Sequence, residues 1–178
     1  MKKIILATSL AAIAGAASMS AQAASGTITI TGEVSDVTCP ITPGGGGGTA
    51  GDINVQLPKA LKGDLAASGA TTGQKAFDIQ IGATGSGGCG SAPLKLTFGG
   101  VNVDTDGLLK NTVVGGTDAK VELLHDGVPL NLTNAEIPDI VAETAPVTLK
   151  MAAQYRAANA GVTEGELSTS VDLNLEVQ

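Results

Sequence analysis

The stretch TITITGEV, residues 27–34, decides how the rest of the chain is read. Ile28, Ile30, Gly32 and Val34 fall on one side and Thr27, Thr29, Thr31 and Glu33 on the other, the period of two that marks a half-buried strand. No turn follows to fold it back as a hairpin. Beyond Ser35 and Asp36 the apolar positions change parity, to Val37, Cys39 and Ile41. A slip of one residue sends side chains to the opposite face of a sheet, so residues 24–35 read as a separate arm that needs a sheet to join.

What precedes the arm is a leader. Lys2 and Lys3 open it, Ile4 to Ala17 form an apolar and small-residue core, and Ala21-Gln22-Ala23 fits a small-x-small cleavage site, so residues 1–23 read as a secretory signal peptide. The apolar run falls short of the roughly 20 residues a spanning helix needs, which disfavours stable membrane insertion. Of the 10 basic residues the leader takes two and none of the 17 acids, leaving 8 against 17 and a net charge of about −9. Nucleic-acid binding needs clustered Lys and Arg, and none are clustered here. An exported chain meets an oxidising compartment, so the two cysteines, Cys39 and Cys89, are expected to form a disulfide, worth roughly 4 kcal/mol in the chain-entropy model. A two-thiolate metal site would need further ligands, and the one histidine is His125. No cofactor is expected.

Residues 36–178 form the domain, and they read as β throughout. The five glycines Gly44–Gly48 lack the Gly-Lys-Ser/Thr ending of a phosphate loop and read as a surface loop. Ile53, Val55 and Leu57 alternate up to Pro58, and Lys59 to Gly73 is a polar connection with room for one helical turn. Alternation returns at Phe77, Ile79 and Ile81, at Leu94, Leu96 and Phe98, and at Ala119, Val121 and Leu123; Asp126-Gly127 is a hairpin signal before Val128, Leu130 and Leu132. A loop with Pro138 and Pro146 precedes a long strand from Val147 to Tyr155. Six or seven short strands with turns between them indicate an immunoglobulin-like sandwich.

The last strand alternates most clearly. From Glu166 to Gln178 the odd positions Leu167, Val171, Leu173, Leu175 and Val177 are apolar, and Thr169 is the exception. A sandwich would follow it with a turn and another strand. None is present in this sequence, so the expectation is an incomplete sandwich lacking its last strand, with an open edge and an apolar groove. Val171, Leu173, Leu175 and Val177 are the candidate residues of that acceptor groove, and Ile28, Ile30, Gly32 and Val34 the candidate donor strand. A chain with a spare strand at one end and a missing one at the other can be completed by its neighbour, head to tail, which propagates into a filament.

These features resemble the pilin subunits of chaperone-usher fimbriae, in particular the type 1 fimbrial major-subunit group. The resemblance is carried by GTITITGEVSDVTC at 26–39, AFDIQIGATGSGGC at 76–89, AAQYRAANAGVTEGE at 152–166 and the alternating last strand. It implies a structural subunit of a surface fimbria, polymerising by donor-strand exchange for adhesion and biofilm formation. It also implies a route through the periplasm of a Gram-negative bacterium, with a periplasmic chaperone, binding at the strand of Val171, Leu173, Leu175 and Val177, and an outer-membrane usher as partners besides identical or related pilins. Two departures stand out: Val177 replaces the usual aromatic residue next to last, and the cysteines are further apart than usual, with the glycine run between them.

Catalysis finds little support. His125-Asp126 is turn chemistry after a strand, Asp104 and Asp106 lack the spaced carboxylates of a calcium loop, and Asn131-Leu132-Thr133 matches a glycosylation acceptor by coincidence. Tyr155 is in frame with the core. The competing readings are a minor adaptor or tip subunit, or a secreted carbohydrate-binding adhesin. The latter is disfavoured by the scarcity of aromatic residues, Phe77, Phe98 and Tyr155, that could stack on sugars.

Overall fold

The structure is a computed structural model that describes residues 39–44, 51–82 and 89–178. The leader at 1–23, the arm at 24–35 with Ile28, Ile30, Gly32 and Val34, and most of the glycine run lie outside the described residues.

Alternating side chains make the strands, and glycine and proline end them. Among the described residues there are eight: β1 (Ile41–Pro43), β2 (Thr71–Ile81), β3 (Leu94–Gly99), β4 (Lys120–His125), β5 (Val128–Pro129), β6 (Glu136–Ile140), β7 (Val147–Arg156) and β8 (Asp172–Val177). A single 3-10 turn, Lys62–Leu65, interrupts the connection before β2 and buries Leu65. One sheet has the order β1-β2-β7-β4-β5 and the other β6-β3-β8, with every pairing antiparallel. The fold is the all-β sandwich expected.

The core lies between the sheets. Ile79 and Ile81 of β2, Val121 and Leu123 of β4, and Leu149, Met151 and Ala153 of β7 meet Leu94, Leu96 and Phe98 of β3 and Ile137 and Ile140 of β6. Ile81, Leu94 and Leu96 are fully buried. The Cys39–Cys89 disulfide forms, with Cα atoms 4.7 Å apart, and links the segment entering β1 to the segment leading into β3. At the other end Leu65, Ala119, Ala157 and Val162 make a small second core, against which Tyr155 packs.

Several elements differ from the sequence reading. β2 begins at Thr71, six residues before Phe77, because a bulge between Thr72 and Lys75 absorbs Gly73 at φ +66°, where an added Cβ would lie 2.8 Å from the Tyr155 ring. Pro138 lies in strand β6 rather than in a loop. Proline is tolerated there because β6 is an edge strand with an irregular register against β3. The strand after Asp126-Gly127 stops at Pro129, so Leu130 and Leu132 lie outside it. The turn itself is a tight hairpin with φ +48° at Asp126 and +78° at Gly127. Of the alternating run 166–178, only 172–177 is laddered.

Candidate functional site: an open strand slot

Among the described residues, two extended segments face one another across the core with no strand between them. Residues 52–60 run without a sheet ladder, yet Ile53, Val55 and Leu57 are half-buried against the core while their neighbours are exposed. This is the first rail. The second is the segment running from Leu167 into β8, where Leu167, Thr169, Val171, Leu173 and Leu175 are half-buried and the intervening residues exposed.

β8 has a partner on one side. It pairs with β3 from Leu94↔Val177 to Gly99↔Asp172, and Gln178 N donates to Pro93 O at 2.9 Å. In an antiparallel ladder the residues that exchange backbone hydrogen bonds alternate. Asp172, Asn174 and Glu176 therefore bond to β3, and the backbone groups of Val171, Leu173, Leu175 and Val177 point to the open edge.

Between the rails lies a groove of about 1290 Å³, above the roughly 300–1,000 Å³ of ordinary small-molecule sites. Its floor is core side chains, among them Phe77, Phe98, Leu109, Val121, Met151 and Tyr155. An apolar trench flanked by a strand edge that is unpaired among the described residues has the shape an extended peptide could fill, its backbone adding to the ladder and its alternate side chains entering the trench.

The upper part of the second rail is held by side chains and isolated backbone bonds instead of a continuous ladder. The Asn111 amide donates to Thr117 O and Glu166 O, both at 2.8 Å, and its Oδ1 accepts from Val113 N and Ser168 N, both at 3.0 Å. Thr112 N donates to Ser168 O at 2.9 Å, and Asn102 Nδ2 to Ser170 O at 3.2 Å. These bonds also engage even-numbered residues, so the odd-numbered backbone stays free towards the slot. The loop leading to the rail is pinned at Asp118, whose Oδ1 accepts from Thr163 N at 2.6 Å and from Thr163 Oγ1 at 3.0 Å. The Thr163 amide bond holds the Asp118 carboxyl below its ordinary pKa, against a smaller opposing effect of burial.

Of the residues picked out in sequence as the acceptor groove, Val171 and Leu173 line the trench. Leu175 is half-buried further along the same face, and Val177 is 50% exposed at the end of the edge. The first rail was visible as alternation at Ile53, Val55 and Leu57, but nothing local distinguished an unladdered wall from an ordinary strand. The Asn111 clamp has no sequence signal, because its four partners lie in two separate segments.

The other candidates resolve into structure. Asp104 and Asp106 both bind Lys120, at 2.9 and 2.6 Å. Hydrogen bonding to Lys120 lowers the Asp104 pKa, and the two carboxylates outweigh burial to raise that of Lys120. His125 Nε2 lies 3.5 Å from Asp126 Oδ2 across the hairpin turn. Asn131 Oδ1 accepts from Thr133 N and Oγ1. The buried Glu122 carboxylate is paired with Arg156 and accepts from Gln154 at 2.7 Å. Among the described residues no three histidine, cysteine or acidic side chains gather as metal ligands do.

No protein-family model matches the chain. A major fimbrial subunit of Stenotrophomonas maltophilia is 46% identical over 67 residues, a match that spans 37% of each chain. Among solved structures, a subunit of a chaperone-usher pilus studied for rod uncoiling superposes with a TM-score of 0.60 at 21% identity, covering 88% of this chain and 97% of the other. The P pilus rod subunit gives 0.58 at 21% identity, covering 78% and 99%. A tip adhesin of Pseudomonas aeruginosa gives 0.58 at 15% identity, but covers 69% of this chain and only 35% of that one. The chain thus shares the fold of chaperone-usher pilus subunits, and over 67 residues it is similar in sequence to a major fimbrial subunit.

Proposed function

We propose that this protein is a structural subunit of a surface fimbria of a Gram-negative bacterium, polymerised head to tail by strands that each subunit lends to the next. The observation that carries this reading is the trench of about 1290 Å³ beside an edge whose odd-numbered backbone groups point outward. Its apolar floor and unpaired edge favour an extended strand as the occupant. The arm at 24–35 supplies one, with Ile28, Ile30, Gly32 and Val34 as the side that enters the slot of a neighbour. A periplasmic chaperone would fill the slot before assembly, and an outer-membrane usher would oversee its replacement. The likeness to rod subunits spans nearly their whole length, whereas that to the tip adhesin spans about a third of it, which favours a rod component over a tip adhesin. A structural role of this kind calls for no catalysis.

The test appends a second copy of residues 24–35 after Gln178 through a short turn and compares this protein with the mature chain, both exported without a chaperone. The expected result is a soluble, thermostable monomer with the added strand and polymers or aggregates without it. A mature chain that is an equally stable monomer in both forms would show that the slot needs no occupant.

A further inference from the structure

Val121, Leu123 and Tyr155 line the strand slot, and strand alternation turns their neighbours Glu122 and Arg156 to the opposite face of the larger sheet. There they line a second cavity, of about 320 Å³, at the lower end of the roughly 300–1,000 Å³ of small-molecule sites. Glu122 is buried, with Oε1 paired to Arg156 and Oε2 accepting from Gln154. A well-packed apolar pair is often at least as stable as a buried ion pair, so stability alone does not account for these two residues. Arg156 is partly exposed and, among the described residues, its guanidinium makes no hydrogen bond except to Glu122, which leaves donors for an occupant. The walls are already fixed. Leu132 N donates to Gly107 O at 3.1 Å and sets Leu108 beside Leu130 and Asn131; Asn131 Oδ1 is engaged by Thr133, and its Nδ2 makes no bond among the described residues. Opposite, Gly69 N donates to Ala157 O at 2.7 Å and Ser68 Oγ to Ala158 O at 3.0 Å, so the Ser68 hydroxyl keeps its acceptor capacity.

We propose that this cavity binds a neutral sugar, one hexose-sized ring held through its hydroxyls. A hydroxyl both donates and accepts. Arg156 and Asn131 supply donors, Ser68 Oγ and the Asp106 carboxylate supply acceptors, and Leu108, Pro129 and Leu130 give the C–H face of a ring an apolar wall. The charges favour a neutral occupant. Glu122 is balanced by Arg156 and Asp106 by Lys120, so an anion would meet two carboxylates whose cations are already committed. The three aromatic residues, Phe77, Phe98 and Tyr155, all line the strand slot, so none stacks on the sugar and a single site binds weakly. In a filament the site would recur in every subunit, and repetition raises avidity for a polysaccharide; this last step alone rests on the fimbrial reading.

The test is saturation-transfer NMR on the mature chain, in whatever state of assembly it adopts, with methyl glucoside, methyl galactoside and, as the charged counterpart, glucuronate. Saturable transfer to a neutral glycoside at millimolar concentration is expected, and little to glucuronate. Ala158→Phe, which plugs the cavity without touching the ion pair, should abolish it. Arg156→Lys keeps a cation beside Glu122 but loses the planar fork, and should weaken binding about tenfold. Leu173→Ser, in the strand slot, should leave it unchanged. Thermal unfolding confirms that each variant is folded, and polymerisation is scored separately, so that the sugar site and the fimbrial reading stand or fall independently. No saturable transfer to either glycoside, transfer that survives Ala158→Phe, or stronger transfer to glucuronate would overturn the proposal.

Discussion

At Asp118 a single carboxylate ties a loop to the strand slot. It accepts from the backbone and the hydroxyl of Thr163, and Thr117 Oγ1 donates back to Thr163 O at 2.6 Å. Its pKa in the folded chain lies below the ordinary carboxylate value of about 3.9. Its contribution is therefore fully present above that value and is lost as pH falls through the lower folded value. Acid should release the 157–165 loop before the core, and Asp118→Asn should remove that pH dependence. Amide exchange at Thr163, followed below pH 4, is the measurement. Asn111 belongs to the same scale: one amide makes four bonds, joining Val113 and Thr117 to Glu166 and Ser168 of the neighbouring segment.

Two strands with similar alternation do different work. β3 is paired on both sides, and its Leu96 is fully buried before anything docks. Among the described residues β8 is paired on one side, and its Leu173 is half-buried at the wall of an open trench. Leu96→Ala should therefore cost about 2–5 kcal/mol of stability whether or not the slot is filled. Leu173→Ser should cost little in the unoccupied chain and about 1.5–3 kcal/mol of the gain from an added strand. Equilibrium unfolding of both variants, with and without the appended arm, separates the two effects. Alternation in sequence cannot, because it reports which side faces the core and not whether a neighbour completes the edge.

For the whole molecule, the disulfide and the strand that the proposed function adds would stabilise through different states. Cys39 and Cys89 are 50 residues apart, and closing that loop restricts the unfolded chain, a contribution of roughly 4 kcal/mol. Replacing both cysteines with serine should lower stability by about that amount with the slot filled, while leaving the arm's docking unchanged; denaturation in the presence and absence of reductant checks it. The sequence by itself determined the β class, most strand positions, the cysteine pair and the apolar parity of the last strand. These follow from local periodicity and turn chemistry, or from there being two cysteines in all. Only the tertiary structure decided that Ile53, Val55 and Leu57 form the opposite wall, that Pro138 sits in an edge strand, that Asn111 holds the rail, and that Thr169 lines the trench. Each depends on segments far apart in sequence coming into register, and the physical cause is long-range pairing, which no local pattern encodes.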